Sequence, residues 1–381
     1  MEETTNILQS YGWNQQKINQ FRSDLLAWYD ANKRDLPWRR DNNPYYIWIS
    51  EIMLQQTQVA TVIPYFERFI ATIPDIATLA QVDEQVLLQL WQGLGYYSRA
   101  RNLKIAAQQI VEKHGGEMPK TMPELLALKG IGPYTAAAIG SMAFNLPEPA
   151  IDGNLLRVTA RLFELDADIA KPSSRKQFAA ILYELIDPKR PGDFNQAMMD
   201  LGATIMTPTN YYPENSPVKD YDASFINETA ENYPVKSKKV KQTHHTMIAY
   251  YIQDSSGNVL YRQHLEEELL TGLWHFPMVE YDIDYEAATQ KELLEPLAER
   301  YRLDWLLHDE VRVNAIAFPV VKHVFSHRVW HVQLISVTLT ESNVKEIPSG
   351  WQWVSNQDWL ILPISTLQKK LEQVRDDRSD S

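Results

Sequence analysis

Residues 128–154 read LKGIGPYTAAAIGSMAFNLPEPAIDGN. A short helical pattern, Pro123 to Leu128, runs into Gly130-Ile131-Gly132, and Pro133 stands where a second helix would open. Proline suits a first helical position because the amide hydrogen it lacks has no partner there anyway. Glycines at 130 and 132 allow a positive φ and the close approach of another backbone. Successive N–H groups at such a helix start point outward and form a phosphate site. The same residues also satisfy a plain αα-turn with two packing glycines, and the turn alone does not separate the two readings. Further on, Asp152 closes a Pro-rich loop, and Asn154 is placed to cap a helix LLRVTARLF. Taken alone, Asp152 reads equally as a capping or Asx-turn residue. The intervening helix, Tyr134 to Ala143, brings both ends toward one groove.

Outward from this stretch, residues 14–205 carry apolar positions at helical spacing. Expected helices are Lys17 to Asn32, Tyr45 to Leu54, Val59 to Ile70, Glu84 to Leu90, Ala100 to Lys113, Lys176 to Leu185 and Asn195 to Thr204. Asn43-Pro44 supplies a cap and a first-turn proline. After Met206, TPTNYYPENSPVKDYD reads as loop. YPVKSKKVKQ, 233–242, is a basic linker, either a solvated charge run or a phosphate contact. From His245 the period becomes two. TMIAYYIQD and NVLYRQH around Gly257-Asn258 read as a hairpin. Ala315 to Pro319, Val329 to Thr338 and Gly350 to Val354 are further strands, and Tyr285 to Arg300 and Ile364 to Val374 are helices.

Composition narrows the class. The 381 residues are 44% hydrophobic and 11% aromatic, which is globular and sufficient for two or three domains. There is no cysteine, which removes disulfides, thiol nucleophiles and thiolate-held metals. No run of about 18 apolar residues is present to span a membrane. The opening MEETTNILQSYGW has neither the basic nor the apolar region of a signal peptide, so a cytoplasmic location is expected. Net charge is −12 but uneven: residues 244–381 hold 12 Lys+Arg against 21 Asp+Glu, and residues 1–243 hold 25 against 28. An acidic chain of this kind can still engage nucleic acid through well-placed local contacts.

Glu51 lies among Ile47, Trp48, Ile49, Ile52, Met53 and Leu54. A carboxyl in that company either faces solvent from an amphipathic helix or is buried with a raised pKa. Gln55-Gln56-Thr57 then interrupts the apolar run, as a groove wall would.

Five ordered segments, SEIMLQQTQVATVIPYFERF, LWQGLGYYSRARNL, LKGIGPYTAAAIG, IDGN and FNQAMMDLGA, together resemble adenine DNA glycosylases of the MutY type, in the helix-hairpin-helix base-excision repair superfamily. The resemblance spans roughly residues 20–205. HVFSHRVWHV is similar to that family's loop for recognising 8-oxoguanine on a Nudix-like fold. The Mg²⁺-binding helix of Nudix hydrolases has no counterpart after LLTGLWHFPMVE, so this part reads as a binding module.

The resemblance implies an all-α helix-hairpin-helix region over 1–222 with two helical subdomains. A linker would follow at 223–243, then a small α+β Nudix-like domain at 244–375 and a frayed tail at 376–381. It implies a monomeric enzyme that acts on double-stranded DNA containing an adenine mispair. Glu51 becomes the general acid and Asp152 the carboxylate stabilising an oxocarbenium-like sugar, with Asn154 and Tyr134 in support. Related lyases carry a Schiff-base lysine at the Tyr134 position, so a monofunctional glycosylase is expected. Gln56, Tyr96, Arg99, Arg101, Lys129, Gly130, Gly132 and Arg39 become DNA or pocket contacts, and Trp38 either lines the pocket or packs in the core. Phe325, Ser326 and His327 would read the oxidised guanine. His323, His327 and His331 recur every fourth residue, but in strand and loop context this spacing makes no metal site. The family's iron–sulfur cysteines align with Met206, Pro213, Ser216 and Asp222, so no cluster is expected. Tyr211, Tyr212 and Tyr221 could pack the 206–222 loop instead.

Overall fold

The computed structural model describes residues 7–209, 211, 213–237, 242–265, 268–281, 287–314, 318–325, 327–340, 347–355 and 358–379. The chain divides into two compact units, Met1–Val82 with Asn102–Lys238, and Asp83–Arg101 with Lys239–Ser381.

The first unit is helical. Its helix Gln15–Asn32 is capped by the Asn14 side chain, which accepts from Lys17 N, and buries Ile18, Phe21, Leu25, Leu26 and Tyr29 on one face. The helix Pro44–Leu54 starts at Asn43, whose Oδ1 accepts from Tyr45 N at 2.9 Å. It is buried on nearly all sides, from Tyr45 through Met53, so Glu51 has no route to solvent along its own helix. The chain turns at Gln56, where φ is +61°.

The hairpin takes the expected form at Gly130 and Pro133 but not at Gly132, whose φ is −93° and where a Cβ would meet nothing within 4 Å. Met122–Leu126 leads to Gly130 at φ +77°, and Pro133 opens the helix Pro133–Phe144. The next helix, Gly153–Leu162, begins earlier than its sequence suggests. Asp152, and not Asn154, is its cap: the short Asp152 side chain reaches both Asn154 N (2.9 Å) and Leu155 N (2.8 Å). The helix Pro191–Thr204 likewise begins at its proline, ahead of the expected Asn195. It packs tightly on the start of Gly153–Leu162: a Cβ at Gly202 would lie 2.8 Å from Asn154 Cβ. That approach sets Asp152 and the inner face of Pro191–Thr204 beside one another. Phe21, Leu25, Phe163, Phe178, Phe194 and Leu201 share the core beneath.

The second unit is built on an eight-stranded mixed sheet. Its strands are β1 Thr243–Gln253, β2 Val259–Gln263, β3 Trp274–His275, β4 Met278–Glu280, β5 Val311–Asn314, β6 Val321–Val324, β7 Arg328–Leu339 and β8 Trp351–Val354. β1 runs parallel to β7 from Thr243↔Arg328 to Gln253↔Thr338 and antiparallel to β2, as the Gly257-Asn258 turn predicts. β5 and β6 both pair with β7; the sequence reading places a strand at 315–319 instead. Residues 315–317 lie outside the described residues, and Phe318 and Pro319 are not strand.

Each sheet face carries a helix. Leu293, Leu294 and Leu297 of Gln290–Tyr301 cover one side, and Leu367 and Leu371 of Thr366–Ser379 cover the other. Asp83–Arg101 completes this unit: Tyr97 Oη donates to Ile364 O at 3.3 Å, and Arg101 Nη2 donates to Thr271 O.

Candidate active site

A cavity of about 650 Å³ opens in the helical unit, lined in part by Arg39, Glu51, Gln56, Tyr134, Asp152 and Asn154. Glu51 is 5% exposed. Burial raises its carboxyl to about 7; the Tyr134 hydroxyl bond and the Arg39 charge pull it down, while the Asp152 charge pushes it up. Tyr134 Oη donates to Glu51 Oε2 and is itself held far above the usual phenol range, chiefly by burial.

Asp152 is also raised by burial, against the opposing pull of the Leu155 and Asn154 donors. Oδ1 takes the two helix-start N–H groups, and Oδ2 accepts Asn154 Nδ2 at 2.7 Å. Two buried carboxyls in one cavity do not both ionise cheaply. Asp152 has three N–H donors and a helix N-terminus to hold its anion, whereas Glu51 has a single hydroxyl. This donor set favours the proton on Glu51 over Asp152. One neutral acid and one carboxylate facing a common space can protonate a leaving group and stabilise a developing cation.

Several residues of this site carry no strong local signal. Arg157 is buried; it donates to Asn154 Oδ1 (2.7 Å), Gly202 O (2.6 Å) and Met206 O (2.7 Å), fixing the amide that holds Asp152. Gln196 lines the cavity and accepts from Tyr29 Oη at 2.8 Å. Asp200, one turn later on the same helix, is 1% exposed and bonded to Arg34 and Arg39. The i, i+4 spacing of Gln196 and Asp200 within FNQAMMDLGA was the available clue.

The remaining sequence candidates divide. Trp38 does both things considered for it, lining the cavity and packing edge-on against Phe66 at 5.3 Å. Gln56 sits at the cavity wall. Arg39 lines the cavity too, but its guanidinium is committed to Asp200. In the second unit, Tyr96 is 47% exposed at φ +48°. Arg99 and Arg101, both expected on phosphate, are turned to protein partners. Arg99 Nη2 donates to Leu94 O and Gly95 O, and burial lowers its guanidinium to about 10. Arg101 Nε pairs with Glu84 at 2.7 Å.

At the hairpin, Lys129 N donates to Gln109 Oε1 at 2.8 Å, and Gly132 is the backbone cap of Pro133–Phe144. The first N–H groups of that helix have no partner within it. Phe325 is wedged against His323 (4.5 Å) and Trp330 (4.8 Å), and exposed His327 accepts from Thr243 N through its carbonyl at 3.1 Å. Ser326 lies outside the described residues.

The loop matched to the cluster positions is held by side chains. Met206 and Ser216 are buried, Pro213 opens a single 3-10 turn, and fully buried Asp222 caps Ala223–Ile226. Asp222 accepts from Tyr211 Oη, from Ser224 Oγ (2.8 Å) and from Phe225 N (3.2 Å). The Tyr211 ring lies 4.3 Å from the Arg161 guanidinium. Tyr221 packs edge-on to Phe21 and donates to Asp24 at 2.6 Å. Tyr212 is outside the described residues. Among the described residues no group of three or more His, Cys, Asp or Glu could hold a metal ion, and no helix is long and apolar enough to cross a membrane.

The chain is similar to known proteins along most of its length. Residues 49–187 match the family model of the HhH-GPD superfamily base excision DNA repair protein, and residues 248–373 match that of the NUDIX domain. The chain is 34% identical to adenine DNA glycosylase of Mus musculus, over 94% of this chain and 78% of that protein. It is 32% identical to the Homo sapiens enzyme of the same name, over 94% and 74% respectively. It is also 32% identical to the one from Buchnera aphidicola subsp. Acyrthosiphon pisum, over 93% and 97%. Among solved structures, a thermostable thymine-DNA glycosylase superposes with a TM-score of 0.51 at 26% identity, over 56% of this chain and 98% of that one.

Proposed function

Because the chain belongs to the adenine DNA glycosylase family, we propose that it excises adenine paired with 8-oxoguanine or guanine by simple hydrolysis, with Glu51 as general acid and Asp152 as the stabilising carboxylate. A DNA N-glycosylase must extrude its target base from the duplex, and a cavity of about 650 Å³ is roomy enough for a purine. The observation that carries the assignment is the buried Glu51 carboxyl, bonded to Tyr134 and facing Asp152.

Glu51 passes its proton to the imidazole ring of adenine as the N-glycosidic bond breaks, and the bonding electrons leave with the base. The base departs neutral. The sugar left behind carries positive charge at C1′, opposite the Asp152 anion. Water then adds to C1′, leaving an abasic site, and its proton restores Glu51. Tyr134 offers a hydroxyl where a lyase needs an amine, which supports a monofunctional reaction. The first N–H groups of Pro133–Phe144 are suited to a backbone phosphate. Phe325 and His327, with Ser326, are assigned to the opposite base. The 206–222 loop is taken to work without an iron–sulfur cluster, as the chain has no thiolate to hold one.

Single-turnover excision on duplexes with adenine opposite 8-oxoguanine, guanine and thymine tests the reading. Rates should fall in that order, and Phe325→Ala with His327→Ala should compress the difference between the first two. Equal rates on all three duplexes would refute the opposite-base assignment.

A further inference from the structure

We propose that Asp200 is a positioning residue that keeps Glu51 protonated by holding and neutralising the guanidinium of Arg39 at the cavity wall. This rests on the reading of Glu51 as the acid.

Asp200 sits on the inner face of Pro191–Thr204 with 1% of its surface exposed. Its Oδ1 accepts from Arg34 Nε at 2.8 Å, Arg34 Nη2 at 2.5 Å and Arg39 Nη2 at 3.0 Å, and its Oδ2 accepts from Arg39 Nη1 at 2.8 Å. Burial alone would raise this carboxyl, but the bonds and charges of the two guanidinia hold it below the usual range, so it is an anion. The fork-on-fork geometry with Arg39 fixes the plane of that guanidinium as well as its charge.

The groups around Glu51 show why this matters. Tyr134 faces it from Pro133–Phe144, Asp152 from the cap of Gly153–Leu162, and Arg39 from the turn Pro37–Arg39. Behind Arg39 stand Tyr29, Arg34 and Asp200. Arg157 is directed at Asn154, beside Asp152. Among the described residues Arg39 is the cation that acts most on Glu51, and it favours the carboxylate, the form that cannot donate a proton.

With Asp200 in place, both Nη groups of Arg39 are turned to a nearer anion and its charge is compensated. Without that anion, Arg34 and Arg39 would be two uncompensated like charges side by side. Arg39 would then relax toward the next carboxyl in the cavity, Glu51, and lock it deprotonated. Asp200 thus preserves the acid by occupying the cation that would otherwise pair with its carboxylate form. Such a role differs from simple packing because it has a sign on the pH axis.

The test is the pH dependence of single-turnover excision by the full-length protein. Wild type should lose rate above a midpoint near 7. Asp200→Asn should move that midpoint down by at least one unit, and Asp200→Glu should return it toward wild type. Arg34→Met, which leaves Asp200 wholly to Arg39, should move it upward and serves if Asp200→Asn does not fold. A uniform loss of rate with an unmoved midpoint in Asp200→Asn, or a downward shift in Arg34→Met, would overturn the proposal. Glu51→Gln separates the two levels: if it stays active the acid assignment fails, whereas an inactive Glu51→Gln with an unmoved Asp200→Asn midpoint defeats only the role of Asp200.

Discussion

Replacing Glu51 by Gln should make the protein inactive and, at high pH, more stable. Gln keeps the shape and an acceptor for Tyr134 but cannot ionise. In the wild type, the carboxyl is raised from 4.5 to about 7 by folding. A raised carboxyl binds its proton more tightly in the folded state, so stability falls as pH rises between those two values and is then lower by a constant amount. At about 1.36 kcal/mol per unit, the penalty approaches ~3 kcal/mol above pH 8 and is under ~1 kcal/mol at pH 5. Gln carries no such penalty. Urea unfolding of both proteins at pH 5 and pH 8.5 should therefore show a difference that grows with pH in favour of Glu51→Gln. Excision should drop by roughly 10²–10⁴-fold, the usual range for a lost general acid. A stability difference that is the same at both pH values would refute the burial argument, and near-wild-type excision would refute the catalytic one.

Tyr134→Lys should allow borohydride trapping of an enzyme–DNA adduct, since it puts an amine at the reacting sugar; equal trapping by wild type would show that another amine acts. Tyr211→Phe removes a hydroxyl donor from buried Asp222 and should lower stability by about 1–3 kcal/mol; an unchanged urea midpoint would disprove the role of that bond in holding the loop. The purified protein should contain no iron and keep its activity after chelator treatment, and near-stoichiometric iron by elemental analysis would contradict this. Gly130→Ala places a Cβ 2.7 Å from Asn102 Cβ at φ +77°, so it should lose about 1–3 kcal/mol and bind duplex DNA more weakly; wild-type stability and anisotropy-measured affinity would contradict the assigned hairpin geometry.

Features written in adjacent residues were legible in the sequence. Asn43-Pro44, Gly130 with Pro133, and Gly257-Asn258 each act within one turn of chain, and each takes the expected form. The cap at Asp152 shows the limit of such local reasoning. Asp and Asn are nearly equal as caps, and the choice between 152 and 154 depends on where the helix packs under Gly202. The site's charges were less legible still. Arg39 and Asp200 are 161 residues apart, so nothing local says that Arg39 is paired while another arginine would be free. Arg99 and Arg101 look like phosphate ligands on an exposed helix; their partners lie on loop carbonyls and on Glu84. Short strands such as β5 and β6 carry too few residues for their period to stand out, and are specified by pairing with β7.

The placement of Asp83–Arg101 has a consequence in time. Tyr97 and its acceptor Ile364 are separated by 267 residues. On a ribosome moving at about 5–20 residues per second, that carbonyl emerges roughly 13–53 s after the tyrosine. The segment is therefore born among helices that can fold early, yet belongs to a unit that closes only with its final helix. A chain interrupted between residues 102 and 364 has made this segment but lacks the Ile364 carbonyl that Tyr97 bonds. During that interval the segment keeps its internal bonds, such as Trp91 Nε1 to Gly95 O and Arg101 Nε to Glu84, and the bond from Tyr97 forms last.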